Sequence, residues 1–161
     1  MSLFKKAERK RVKLRLGLCG PSGSGKTQSA LRIASGLAGE GKIYVIDTEK
    51  DSAELEAGKP GIPDFLHAPI APPYTPERYC EYIKAAAEEG ATVIVIDSLT
   101  HAWSGDGGVL DMHALKERQV AGKGGNGWTA WRDITPAHNK LVETILSCPC
   151  HVICTTRTKT A

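Results

Sequence analysis

The sequence predicts an α/β protein, a parallel sheet with helices on both faces, and three observations carry that prediction. Strand-like and helix-like patterns alternate along the chain. Two runs, Ile43-Tyr44-Val45-Ile46 and Val93-Ile94-Val95-Ile96, are continuously apolar, as parallel strands covered on both faces are. A glycine-rich stretch lies between the first strand and the first helix. The 161 residues, 41% hydrophobic and 24% charged, suffice for one well-filled core. The longest apolar runs are four residues, far short of the ~20 that a membrane helix needs.

Taken in order, residues 11–19 place Val12, Leu14, Leu16 and Leu18 at every second position, which predicts a strand with one wetter face. Gly20 to Thr27 form the loop, and QSALRIASGLAG then sets Leu31, Ala34 and Leu37 at helical spacing before Gly39 and Gly41 stop the run. A second strand is expected over Lys42–Asp47 and a third over Thr92–Asp97. Residues 58–74, rich in Pro and Gly, read as a loop. Thr75 as N-cap and Pro76 in the first turn open a helix with Tyr79, Tyr82, Ile83 and Ala86 on one face, closed by Gly90. A helix is predicted from Val109 to about Val120, and Thr135-Pro136 is expected to open another that carries Leu141, Val142 and Ile145. His151–Thr156 is the fourth strand.

The net charge of +3 is unevenly spread. Residues 1–15 hold seven bases (Lys5, Lys6, Arg9, Lys10, Arg11, Lys13, Arg15) and one acid, Glu8, leaving 14 bases against 17 acids elsewhere. The expected organisation is a basic arm over residues 1–13 and a core over 14–161. The arm is either a solvated terminus or a nucleic-acid contact. It lacks the apolar stretch of a secretory signal, so a cytoplasmic protein is expected. Five cysteines, an odd number, fit a reducing compartment. Cys148-Pro-Cys150-His151-x-x-Cys154 has no second ligand pair at finger-like spacing, and free core thiols are expected rather than zinc.

GPSGSGKT, residues 20–27, matches G-x-x-x-x-G-K-[ST], the P-loop. Gly20, Pro21, Ser22, Gly23, Ser24 and Gly25 would turn backbone N–H groups toward phosphates, Lys26 would reach the β and γ oxygens, and Thr27 would offer its hydroxyl to Mg²⁺, with Gln28 next on the helix. The nucleotide is read as ATP. The metal needs an acid, and Asp97 at the C-terminal end of an apolar strand supplies it. Many P-loop ATPases follow that acid with a second one, but Ser98 stands here. Glu49, just past the second strand, is the candidate to polarise the attacking water, against the alternative of an exposed loop acid.

GPSGSGKT, VIDTE and VIVIDS together resemble the RecA-like ATPase core. With IDSLTHAW, GGVLDMH, WTAWRDITPAHNKL and HVICTTRTK, the sequence looks more closely like bacteriophage AAA-family ATPases, a RecA-core-only group associated with DNA recombination and single-strand annealing. The resemblance covers about residues 14–159. It implies ATP and Mg²⁺, single-stranded DNA, a single-strand-binding protein as partner, and a possible homo-oligomer. It also implies strand order 1-4-3-2 with a fifth strand missing, the core being shortened at its C-terminus. A polar residue at the end of the fourth strand would sense the γ-phosphate, and Thr155, Thr156 and Arg157 stand there, Thr156 and Arg157 being taken as nucleotide-binding.

Two glycine loops, Ser104–Gly108 and Gly122–Gly127, are expected to be mobile DNA-binding loops, with Lys123, Trp128, Trp131 and Arg132 supplying charge and stacking faces. His101 and Trp103 are expected to pack or to couple the nucleotide site to a loop. The alternative readings are a small-molecule P-loop kinase and a non-hydrolysing nucleotide-dependent interaction module.

Overall fold

The computed structural model describes residues 3–8 and 12–158. Arg9, Lys10 and Arg11 of the basic arm, and Lys159 near the chain's end, lie outside the described residues. The strands are β1 (Arg15–Gly20), β2 (Lys42–Asp47), β3 (Leu66–Pro69), β4 (Ala91–Asp97) and β5 (His151–Arg157). The helices are α1 (Lys26–Ala38), α2 (Pro76–Glu88), α3 (Thr100–Ser104), α4 (Val109–Ala121) and α5 (Gly127–Ser147). All strand pairs are parallel, in the order β1-β5-β4-β2-β3.

The sheet separates two apolar layers. Ile43, Val45, Val93, Val95 and Ile153 face Ala30, Leu31 and Ala34 of α1. Their neighbours Ile46, Ile94, Ile96, Val152 and Cys154 face Tyr79 and Ile83 of α2 and Leu141 of α5. Alternate side chains of one strand thus feed opposite cores, which is why β2 and β4 read as unbroken apolar runs. Cys80, Cys148, Cys150 and Cys154 are buried and Cys19 is exposed, all as free thiols. Burial pushes the Cys154 thiol up to about 12 and Cys150 to about 11.

Four sequence expectations are corrected. The sheet has five strands rather than four: β1, β5, β4 and β2 keep the expected order 1-4-3-2, and β3 is added beside β2, at the edge opposite β1. It comes from inside the segment read as loop, where Tyr44 to Asp47 register with Leu66 to Pro69. Four residues ending in proline carry almost no periodic signal, and pairing with β2 makes them a strand.

The first strand starts at Arg15, not residue 11, because its partner β5 starts at His151 and the register pairs Arg15 with Val152. Leu14 N–H ends the ladder by donating to His151 Nδ1 at 2.9 Å, and Val12 is 83% exposed. Arg15 itself leaves the basic arm's inventory, since its guanidinium donates to the carbonyls of Leu146, Cys148 and Cys150 at the end of α5.

Thr135-Pro136 does not open a helix. Asn126 caps α5, accepting from Thr129 N–H, and Pro136 lies inside it. A proline there removes a backbone bond and costs about 3 kcal/mol. Against that, Ala130, Ile134 and Leu141 form one buried stripe that only a continuous helix can present. Thr135 Oγ1 turns back to donate to the Trp131 carbonyl at 2.7 Å instead of capping. By contrast Thr75 caps α2 as expected, accepting from Arg78 N–H, with Pro76 at the first turn.

Finally, Ser104–Gly108 is a packed loop. Tyr74 N–H donates to the Asp106 carbonyl at 2.7 Å, and a Cβ on Gly107 would stand 2.4 Å from Pro73. Among the described residues, no helix is long and apolar enough to cross a membrane.

Candidate nucleotide site

Gly20 ends β1 and Lys26 begins α1, so Gly20–Thr27 bridges a strand end and a helix N-terminus, where unpaired N–H groups favour anions. Gly25, at φ 79°, occupies the left-handed region just before the helix. A Cβ on Gly20 would meet Ser24 Oγ at 2.7 Å, so a side chain there would have to displace the Ser24 hydroxyl. Ser24 Oγ and Lys26 Nζ both donate to the Pro21 carbonyl, at 2.8 and 2.7 Å. This closes the loop on itself.

Asp97 ends β4 at 2% exposure. Its Oδ2 accepts from Thr27 Oγ1 and its Oδ1 from Thr155 Oγ1, each at 2.5 Å. Among the described residues no Lys or Arg forms an ion pair with this buried carboxylate. A carboxylate and a threonine hydroxyl at contact, facing a phosphate loop, form the all-oxygen donor set that Mg²⁺ takes when it is held by one or two protein oxygens plus phosphates. The residues fit that metal.

Glu49 is not an exposed loop acid, since its side chain is 10% exposed. The turn that carries it is built on Asp47, buried at 1% exposure, whose Oδ1 accepts from Glu49 N–H at 2.6 Å and whose Oδ2 accepts from Ala53 N–H at 3.0 Å. Glu49 Oε1 then accepts from Ser98 Oγ at 2.8 Å, and Oε2 is paired with the Arg157 guanidinium. Behind them Thr48 Oγ1 accepts from Ser98 N–H at 2.9 Å and lies 2.7 Å from His101 Nδ1. His101 stacks on Tyr74 with ring centroids 4.8 Å apart, and burial lowers its pKa. A chain of contacts therefore runs from Glu49 through Ser98 and Thr48 to the packed loop at Tyr74. Burial raises the Tyr79 hydroxyl, which donates to the Ser98 carbonyl at 3.1 Å.

These groups border one cleft of about 390 Å³, where Ser22, Gly23, Gly25, Lys26, Thr27 and Gln28 meet Glu49, Asp97 and Arg157. Gly20, Pro21 and Ser24 shape the loop from behind. Thr156 points elsewhere, its hydroxyl donating to Cys19 Sγ at 2.9 Å between β5 and β1. Thr155, one position earlier on the pleat, reaches Asp97 instead. The sequence reading did not single out Asp47, Thr48, or the wall formed by Ser52, Leu55 and Glu56. For Asp47 a signal existed, an acid ending an apolar strand as Asp97 does. For the wall, a short 3-10 turn at Glu54–Glu56, none did.

The residues expected to contact DNA are less concentrated. Trp131 is half-buried, stacked on His113 at 4.1 Å and on Trp103 at 6.0 Å between ring centroids, which engages part of its ring surface. Trp128, in the first turn of α5, is 85% exposed. Arg132 Nε lies 3.8 Å from Asp133, and Lys123 is exposed in the turn before α5.

Residues 12–161 match the family described as the AAA domain. The chain belongs to that family. Membership marks it as a nucleotide-binding P-loop protein of the ATPase type, in agreement with the cleft above. No curated protein matches this chain.

Proposed function

We propose that this AAA domain is a Mg²⁺-dependent ATPase whose hydrolysis is coupled to single-stranded DNA, in the manner of phage-type recombination or annealing, beside a single-strand-binding protein in a bacterial host's cytoplasm. One observation carries the catalytic part. Two carboxylates stand at the ends of adjacent strands, Asp97 against the Thr27 hydroxyl and Glu49 free of it, so the two can take different tasks.

Lys26 and the loop N–H groups neutralise and orient the phosphates of ATP. Thr27 and Asp97 would hold Mg²⁺, which supplies charge neutralisation for the β and γ oxygens when bound. Glu49 orients a water toward the γ-phosphorus and accepts its proton as the new P–O bond forms and the bond to the β-phosphate oxygen breaks, giving ADP and phosphate. Ser98 holds one Glu49 oxygen throughout. Arg157 holds the other, and the γ-phosphate would compete with Glu49 for that guanidinium. The kinase reading lacks the several arginines that a phosphoryl-transfer lid brings, since Arg157 is the one arginine lining the cleft among the described residues.

The DNA part is supported by the resemblance of the sequence, the basic arm, and the exposure of Trp128 and Lys123. Phosphate release from ATP, measured with and without single-stranded oligonucleotides and against a panel of nucleoside acceptors, tests the whole reading. Stimulation by DNA with no phosphorylated acceptor is expected. A phosphorylated nucleoside would make it a kinase, and ATP binding without release would make it an interaction module.

A further inference from the structure

β3 brings His67 against the turn that carries Glu49. The residue stands opposite Val45 of β2, and its side chain is 10% exposed. Each ring nitrogen faces a carboxylate. Nε2 lies 3.3 Å from Asp47 Oδ2, with Asp51 Oδ1 farther off at 3.9 Å, and Nδ1 lies 3.0 Å from Glu54 Oε1. An ionised carboxylate only accepts, so the ring is the donor in either contact.

What these contacts brace follows from the backbone beside them. Lys50 and Asp51, at φ 55° and 61°, occupy the left-handed region without being glycine, and such a conformation persists only where its surroundings over-determine it. The turn that presents Glu49 therefore depends on its fastenings. Asp47 ties both ends of it, accepting from Glu49 N–H through Oδ1 and from Ala53 N–H through Oδ2. The Asp47 side chain is fully buried, and among the described residues His67 is the one basic side chain within ion-pair distance of it. Without the ring, Asp47 keeps its amide donors but loses the side-chain donor that fixes its plane from β3. On the other side the ring holds Glu54, first residue of the 3-10 turn whose next two residues, Leu55 and Glu56, line the cleft.

We propose that His67 is a positioning residue for ATP hydrolysis, with a separate task for each ring nitrogen: through Asp47, Nε2 sets the turn that aims Glu49, and through Glu54, Nδ1 sets the wall against which the nucleotide lies. His67 does not itself line the cleft, so it acts only through these neighbours. The strand added at the sheet's edge thereby ties the water-orienting acid and the nucleotide wall to one point of the sheet. This inference rests on the ATPase reading.

Asparagine and glutamine separate the two tasks, because the asparagine amide nitrogen lies as many bonds from the backbone as Nδ1, and the glutamine amide nitrogen as many as Nε2. The measurement is steady-state phosphate release from MgATP by the full chain. His67→Asn keeps a donor toward Glu54 and loses the one toward Asp47, so kcat should fall by about 10- to 100-fold, as for a misplaced catalytic group, with KM unchanged. His67→Gln does the reverse, and KM should rise by roughly 3- to 10-fold, the scale of one hydrogen bond, with kcat unchanged. Glu54→Ala, at an exposed position, should reproduce the KM effect of His67→Gln. Added to Glu49→Gln, His67→Asn should cost no further turnover, because the acid it acts through is already gone, whereas a general loss of structure would lower the rate again. Equal changes in the two His67 variants, a further kcat loss in the Glu49→Gln background, or wild-type kinetics in both His67→Gln and Glu54→Ala would each overturn the proposal. If His67→Asn fails to fold by circular dichroism, His67→Gln and Glu54→Ala still decide through KM. A wild-type chain that binds ATP and releases no phosphate is a different failure. It overturns the ATPase reading and the Glu49 half of the proposal with it, and the calorimetric ATP affinity of Glu54→Ala then decides the wall half.

Discussion

Asp97 at the end of β4 is 2% exposed with both carboxylate oxygens engaged, while Trp128 at the start of α5 is 85% exposed and stands beside glycines. The same contrast separates their surroundings. Around the nucleotide cleft the fold sets each functional atom from two or more elements: Glu49 is fixed by Asp47 of its own turn, by Ser98 after β4 and by Arg157 of β5. On α3 and α5 the aromatic residues Trp103 and Trp131 are held by stacking on one another and on histidines. Rigid placement at the cleft uses the groups for chemistry, whereas stacking at the helices engages part of the aromatic surface that a ligand would need. A contact surface on this side therefore depends on the residues the fold leaves uncommitted.

The contrast predicts large, residue-specific losses at the cleft. Lys26→Ala should abolish MgATP binding in a calorimetric titration while the thermal transition stays in place, because Lys26 bonds to the Pro21 carbonyl at the protein surface and fills no core. Unchanged affinity in the folded variant would remove the cleft from consideration as the nucleotide site. Next in size, Glu49→Gln keeps the shape and the Ser98 contact but loses the proton acceptor, so ATP should still bind and turnover should fall by ~10²-fold or more. If Glu49→Gln turns over normally while Asp97→Asn is inactive, another group handles the water.

On the other side of the comparison the effects are smaller and graded. Trp128→Ala should weaken single-stranded DNA binding by ~1–3 kcal/mol if a base stacks there, and the same change at Trp131 should instead lower thermal stability through its lost stacking partners. Phosphate contacts of the arm release counterions, with a slope of about −0.7 per contact on single strands, so deleting residues 2–11 should flatten the salt dependence. Fluorescence anisotropy across a salt series reads both. Equal effects of Trp128→Ala and Trp131→Ala on DNA affinity would erase the distinction between committed and uncommitted aromatics.

What could be read from the chain follows the same division. The P-loop was legible because its residues are contiguous and its setting between strand and helix is local. Asp97 and Glu49 were legible because each stands at or just past the end of an apolar strand. Thr155 against Thr156 was not, since the choice depends on how the β5 pleat registers with β4, where Ile96 stands opposite Cys154. β3 was hidden for a similar reason, being four residues made into a strand by β2. At Pro136 a sound local rule gave the wrong boundary, because the buried stripe of Ala130, Ile134 and Leu141 outweighed it.

The smallest expected effect concerns pH, and it joins the cleft to the loop behind it. Burial lowers the pKa of His101, and burial with the charges of Lys13 and Arg15 lowers that of His151. Their folded values therefore lie below the ~6.5 of an unfolded histidine, so in this window the unfolded chain binds more protons than the folded one. Stability is then fully present above about pH 6.5 and is lost as pH falls toward the folded values. The window lies above the ordinary carboxylate range, which keeps Asp and Glu protonation out of the measurement. Thermal midpoints compared at about pH 7 and about pH 5.5 should drop by a few degrees, on the order of 1–3 °C. His101→Gln keeps a polar group beside the Thr48 hydroxyl but cannot charge, so it should flatten part of that drop and leave MgATP affinity unchanged. A midpoint that rises on acidification, or a His101→Gln variant with the full wild-type drop, would mean that the half-buried ring behind Glu49 is not what responds to protons here.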